Sequence, residues 1–198
     1  MAEDRRTRRT RRSLRDALVS LVLERGFAAL TVDDITERAD VARATFYSHC
    51  RDKDDLFTRV TADLLQELAG RLEGVTDETA VGFTGKPLLE LFRHAEAERD
   101  LYRVILRGEG DGRPLSTFTD ESVTRVAAVF RERAVTTGAE PRIDPELLAR
   151  AWVGEQFAVL RWWLEQEPRP MPAEELADNL RMLAVHGRYW ASGLNGAP

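Results

Sequence analysis

Residues 31–57, TVDDITERADVARATFYSHCRDKDDLF, hold three helix starts within 27 residues. Thr31 stands as an N-cap, and Asp33 and Asp34 in the turn behind it suit the positive end of a helix dipole. Ile35 and Ala39 then face inward from a short helix. Asp40 occupies the break, and aspartate tolerates left-handed backbone better than most residues. A second short helix follows, roughly Ala42 to His49. Asp52 can cap the next one, whose Leu56, Val60, Leu64 and Leu68 recur every fourth residue.

Upstream, Leu14, Ala17, Leu18, Leu21 and Val22 form one apolar helix face, which Gly26 ends and against which Phe27 can fold back. One helix followed by two short ones around a tight turn is the helix-turn-helix arrangement of DNA readers. In the second short helix, Val41 and Phe46 are the residues that can face a core. Arg43, Thr45, Tyr47 and His49 project elsewhere, and all can donate hydrogen bonds. Ala42 and Ala44 keep the leading end slim enough for a major groove. Arginine near that end can pair bidentately with guanine O6 and N7.

The same run resembles the DNA-binding domain of the tetracycline-repressor (TetR) family. The resemblance covers about Leu14 to Phe57 and rests on Gly26-Phe27, the Thr31 cap, Ile35, Ala39, Val41, Thr45-Phe46-Tyr47, His49, Lys53 and Leu56. Beyond that, only the number and order of helices agree. The resemblance implies phosphate contacts from Thr31, Thr45, Tyr47, His49 and Lys53, and base contacts from Arg43 and Ala44. Plainer roles stand beside these: Tyr47 packing between helices, Lys53 solvated at a helix start, the His49 ring supporting Tyr47. Two positions depart from the family pattern. Asp40 stands where glycine is usual and puts an anion near the DNA-facing turn. Cys50 stands where a large apolar residue is usual, and it reads as a small buried hydrophobe.

The rest of the chain has a 3.6-residue apolar period and no convincing alternating strand. The expected fold is all-α, with about nine helices. An N-terminal three-helix helix-turn-helix domain is joined to a C-terminal helical bundle for dimerisation and ligand binding. The boundaries read as a basic flexible arm at 1–12, the DNA-binding domain at 13–58 and the helical body at 59–198. Residues 74–85 form a turn-rich link, GEGDGRP at 108–114 is a second break, and the last helix runs from about Ala173 to Leu194.

Charge divides along the same line. The chain carries 29 basic and 34 acidic residues, a net of −5. Residues 1–53 hold 12 basic and 9 acidic side chains, against 17 and 25 in the remainder. A basic head on an acidic body binds DNA only if the body is held away from the phosphates. Arg5, Arg6, Arg8, Arg9, Arg11, Arg12 and Arg15 place seven arginines within eleven residues. Such an arm can enter a minor groove or grip backbone, or can simply be a solvated tail. Each phosphate it neutralises steepens the salt dependence by about 0.9 in log–log slope.

In the body, Gly154 and Ala158 on one helix, and Ala184, Gly187 and Ala191 on the last, place small side chains one turn apart. Leu180, Leu183 and Leu194 add apolar area. The resemblance implies that these two helices pair with their symmetry mates in a homodimer. An ordinary intramolecular bundle is the other reading. Phe92, Tyr102, Phe118, Phe130, Trp152 and Trp163 supply aromatic area for an apolar effector pocket, and Glu155 and Gln156 could orient polar ligand atoms. Core packing accounts for any one of them equally well. Trp162 and Trp163 are adjacent, so on a helix they point about 100° apart and serve different surroundings.

The reading is thus of a regulator, most simply a repressor, that binds a palindromic DNA operator as a homodimer and is released by a small apolar effector. An activator of the same family and a helical protein-interaction module are the alternatives. No enzyme, cofactor or metal site is expected. Cys50 is the only cysteine, and His49, His94 and His186 lack metal-ligand spacing. No serine sits in a G-x-S-x-G elbow, and Gly82–Lys86 lacks the pattern of a phosphate loop. With no disulfide possible, no secretory signal and no apolar run near the roughly 18–20 residues of a membrane span, a cytoplasmic location is expected.

Overall fold

The computed structural model describes residues 5–76 and 85–191. Among the described residues the regular structure is helical. α1 (Arg5–Arg25) is followed by a 3₁₀ turn (Phe27–Ala29), α2 (Val32–Ala39), α3 (Arg43–His49) and α4 (Lys53–Thr76). Then come α5 (Lys86–Ala97), α6 (Arg99–Leu106), α7 (Arg113–Thr137), α8 (Pro145–Glu165) and α9 (Ala173–Ala191). No helix among the described residues is long and apolar enough to cross a membrane. The link at 77–84 and the expected helix end at Leu194 lie outside the described residues.

The helix starts follow from local chemistry. The Thr31 hydroxyl accepts a hydrogen bond from the Asp34 amide at 3.1 Å, and the Asp34 carboxylate accepts one from the Thr31 amide at 2.9 Å. This reciprocal box satisfies two donors that a helix start otherwise leaves open. Asp52 caps α4 by accepting from the Asp55 amide at 2.7 Å. Pro87 sits in the first turn of α5, where the missing amide proton is no loss. Asp40 ends α2 at φ 52°, ψ 49°, the left-handed conformation that its position in the sequence suggests.

Two compact units form, and they do not follow the expected boundary at 58/59. One takes Met1–Gln66 together with Asp100–Glu121; the other takes Glu67–Arg99 and Ser122–Pro198. α6 and the start of α7 therefore share a core with the helix-turn-helix. In that unit Leu14, Leu18, Leu21, Ile35, Phe46 and Phe57 are all at most 1% exposed. Full burial of such side chains stabilises by roughly 1.5–3 kcal/mol each. In the second unit, Val123, Ala127, Ala149 and Val153 form a buried cluster against which Phe130, Trp152 and Phe157 pack.

Three further expectations need correction. The arginine arm is not a flexible coil, because α1 begins at Arg5. The last helix breaks at Gly187, whose φ of 81° and ψ of 173° are not helical. Leu180, expected on an outward face, is 6% exposed within its own unit.

Candidate DNA-binding site and ligand unit

α3 is a seven-residue helix held by one apolar anchor. Phe46 is fully buried, while Tyr47 beside it is 49% exposed. Their rings meet edge to face with centroids 5.4 Å apart, so the buried ring fixes the exposed one. Arg43, one turn before Tyr47, is also exposed. Its guanidinium donates to the Asp33 carboxylate at 2.9 Å and lies 5.7 Å from the centre of the Tyr47 ring. A cation and a phenol are thus held side by side on the outer face of α3. The Asp33 carboxylate holds the guanidinium in this position.

The other residues singled out in the sequence divide. Ala44 is exposed, and Thr45 and His49 are half-buried on the same helix. The Thr31 hydroxyl is spent on the cap of α2. Lys53 turns toward the chain itself. Its ammonium donates to the carbonyls of Phe27 and Leu30 at 3.0 and 2.8 Å and lies 4.6 Å from the Phe27 ring centre. The geometry therefore gives Lys53 the task of holding the α1–α2 turn. The Phe27 amide of that turn donates to the Glu109 carboxylate at 3.0 Å. Glu109 lies in the α6–α7 loop, 82 residues away, and nothing in the local sequence marks it. Gly26, just before the turn, adopts φ 75° and ψ 152°, a region essentially confined to glycine. Cys50 ends α3 at 5% exposure, and burial pushes its thiol pKa up.

Asp40 is exposed on the turn between α2 and α3. Replacing it with glycine removes left-handed strain of about 1–2 kcal/mol, partly offset by the greater freedom of the unfolded glycine chain. It also removes an anion from the turn ahead of α3. Asp40→Gly is expected to raise Tm by a few degrees in thermal melts and to tighten DNA binding a few-fold. A lower Tm would mean that the Asp40 side chain stabilises the turn.

Asp55, near the start of α4, accepts from the Arg51 amide at 2.9 Å and from Arg59 Nε at 3.1 Å. These bonds hold its carboxyl pKa below the usual aspartate value, the backbone bond contributing most. A carboxyl with a lowered folded pKa stabilises the fold above its unfolded value of about 3.9, and that stability is lost as pH falls through the folded value. Asp55→Asn should therefore lower stability at neutral pH and flatten its decline below about pH 4, measured by chemical denaturation across pH. An unchanged acid limb would show that Asp55 does not contribute.

In the second unit, Phe92 and Trp163 are fully buried and meet edge to face at 5.8 Å. Trp163 Nε1 donates to the Met171 carbonyl at 2.8 Å, and Arg169 stacks 5.0 Å from the ring centre. Trp162, its chain neighbour, is 46% exposed. Gln156 is 2% exposed, and neither its amide oxygen nor its amide nitrogen has a hydrogen-bond partner. Phe130 and Trp152 pack on the Val123 cluster, and Glu155 is half-buried. Tyr102 and Phe118 pair at 5.5 Å in the first unit. The eight ligand candidates are therefore split between the two units.

Known proteins match both the local motif and the whole chain. Residues 14–60 fit the model of the bacterial regulatory proteins of the tetR family. The chain is also 24% identical over 195 residues to the HTH-type transcriptional repressor KstR2 of Mycolicibacterium smegmatis, spanning 91% of this chain and 93% of that one. Residues 14–60 thus match the DNA-binding domain of the tetR family. The chain is a DNA-binding transcription regulator, and the relatives it matches are regulators of transcription. It is 41% identical over 54 residues to the HTH-type transcriptional regulator YxbF of Bacillus subtilis, which covers 27% of this chain and only 14% of that relative. The fold of the transcriptional regulator FadR from Bacillus subtilis, solved in complex with stearoyl-CoA, superposes with a TM-score of 0.72 at 19% identity. That match covers 89% of this chain and 98% of FadR.

Proposed function

We propose that this chain is a tetR-family repressor that binds a two-fold-symmetric operator as a homodimer and lets it go when a small, largely apolar molecule enters the second unit. The observation that carries the reading is the outer face of α3, where Arg43 and Tyr47 stand exposed on the buried ring of Phe46. One recognition helix reads too few base pairs for useful specificity, and pairing doubles the site. The outward face of α8 suits such pairing. Leu147, Gly154, Ala158 and Trp162 are exposed along it, and a side chain added at Gly154 would meet nothing within 4 Å. On α9, Ala184 is exposed and Leu183 half-buried.

The effector half of the reading rests on Gln156, a buried amide without a partner on a helix face otherwise apolar. An apolar molecule with one hydrogen-bonding group would complete it. FadR, with its bound stearoyl-CoA, makes long-chain acyl thioesters the first probes to try. The protein is expected to act in the cytoplasm without cofactor or metal, and to have no catalytic activity of its own.

Selection of bound duplexes from a random pool tests the DNA half. Enrichment of an inverted repeat, its half-sites about one helical turn or a multiple apart, is the expected result. Enrichment of a single unrepeated half-site would overturn the dimer, and no enrichment at all would overturn the operator reading.

A further inference from the structure

The arginine run, which the helix-turn-helix leaves unexplained, has a definite form. α1 starts at Arg5, yet its first buried residue is Leu14. Residues 5–13 therefore make a helical extension of about 13 Å that holds no fully buried side chain. Arg5, Arg8, Arg9 and Arg12 are all exposed and fall on one helix face, opposite the side that carries Leu14, Leu18 and Leu21. Asp16 is the acid that approaches this face, 4.0 Å from Arg12. The first turn of α1 holds no acidic residue.

Taken alone, that arrangement is electrostatically poor. Cations at a helix N-terminus oppose the dipole, and like charges three and four residues apart repel. A polyanion laid along the face would relieve both. The extension belongs to the same compact unit as α3. Arg11 also comes close enough to Cys50, at the C-terminal end of α3, for its charge to act on that thiol.

We propose that Arg5, Arg8, Arg9 and Arg12 form a second DNA contact, gripping the backbone phosphates that flank each half-site. The proposal rests on the operator reading above. Form decides the mode of contact: an α-helix about 10–12 Å across cannot enter a minor groove about 6 Å wide. It can lie along the backbone, where duplex DNA presents one charge per about 1.7 Å of axis. The contact adds affinity and residence on DNA without adding sequence information.

The test compares the wild type, a quadruple Arg→Gln variant at positions 5, 8, 9 and 12, and the matching Arg→Lys variant. Each is titrated onto the selected operator between about 50 and 200 mM salt. Removing four phosphate contacts from each protomer, eight per dimer, should shallow the log–log slope by up to about 7, at about 0.9 per contact. Arg→Lys should keep the wild-type slope, and the preferred sequence should not change. Circular dichroism and thermal melting confirm that residues 14–66 still fold in both variants. A folded Arg→Gln variant with the wild-type slope would overturn the proposal while leaving the operator reading intact. A lost slope that lysine fails to restore would overturn the phosphate contact. Binding of the wild type to anionic phosphatidylserine vesicles, lost in Arg→Gln with no change of slope on DNA, would assign the face to membranes instead. Failure of the wild type to select any operator would count against the underlying function, not against this face alone.

Discussion

Arg43→Ala combined with Tyr47→Ala is expected to abolish sequence-specific operator binding while leaving the fold in place. Both side chains are exposed, so little buried area is lost, and Phe46, which anchors α3, is untouched. Loss of a bidentate arginine–guanine pair costs about 1–3 kcal/mol of discrimination, or roughly 5- to 150-fold at one base pair. In a homodimer the loss occurs once in each half-site, so the combined effect reaches about 2–6 kcal/mol. On the proposed reading Tyr47 also contacts phosphate, and its ring is the one over which Arg43 lies. Fluorescence anisotropy on the selected operator and on a scrambled duplex measures both consequences. Specific binding should fall to the level of the scrambled duplex, and that residual level should drop only slightly. A double variant that keeps wild-type preference would remove α3 as the reader.

The single variants separate the two roles. Arg43→Ala should relax preference at one position of each half-site. Tyr47→Phe, which keeps the ring and removes the hydroxyl, should weaken all sequences about equally. Asp33 gives a third handle. It holds Arg43 at 2.9 Å, so Asp33→Asn frees the guanidinium but also loosens its placement.

What the sequence showed of this site was local. Thr31 and Asp34 declare a helix start because a capping bond spans only three residues. Phe46 declares itself as the anchor because its neighbours in the short helix are small or polar. The long-range partners left no such trace. Lys53 reads as a phosphate contact by resemblance, yet its ammonium reaches back 23 and 26 residues to two carbonyls. Only the closed fold brings those oxygens within reach. Glu109 is in the same position: in sequence it is one acid in a glycine-rich loop, and in the structure it receives the Phe27 amide. The helical form of the arginine run is hidden in the sequence for a different reason. It has no apolar period before Leu14, so the pattern that marks a helix is missing, although arginine itself favours helix. Leu180 shows the limit of small-residue stripes as a guide, since this leucine, one turn before Ala184, is buried in its own unit.

Gln156→Leu is expected to stabilise the free protein and to abolish its response to effector. The side chain is 2% exposed, with neither amide atom bonded. Ala149, Val153, Leu160 and Trp163, all buried, share its face of α8. A buried polar group without a partner costs about 1–3 kcal/mol. Leucine fills a similar volume without that penalty. For a chain of this size each kcal/mol moves Tm by about 2–4 °C, so a rise of several degrees should appear in a thermal melt. An amide kept at such a cost needs a use, and a ligand's hydroxyl or carbonyl supplies one. The variant should bind operator as well as the wild type and keep it when effector is added. Stabilisation together with a normal effector response would show that Gln156 does not contact the ligand. A fall in Tm would show that the amide already has a partner in the free protein, such as a buried water, and the effector site would then have to be sought elsewhere in the second unit.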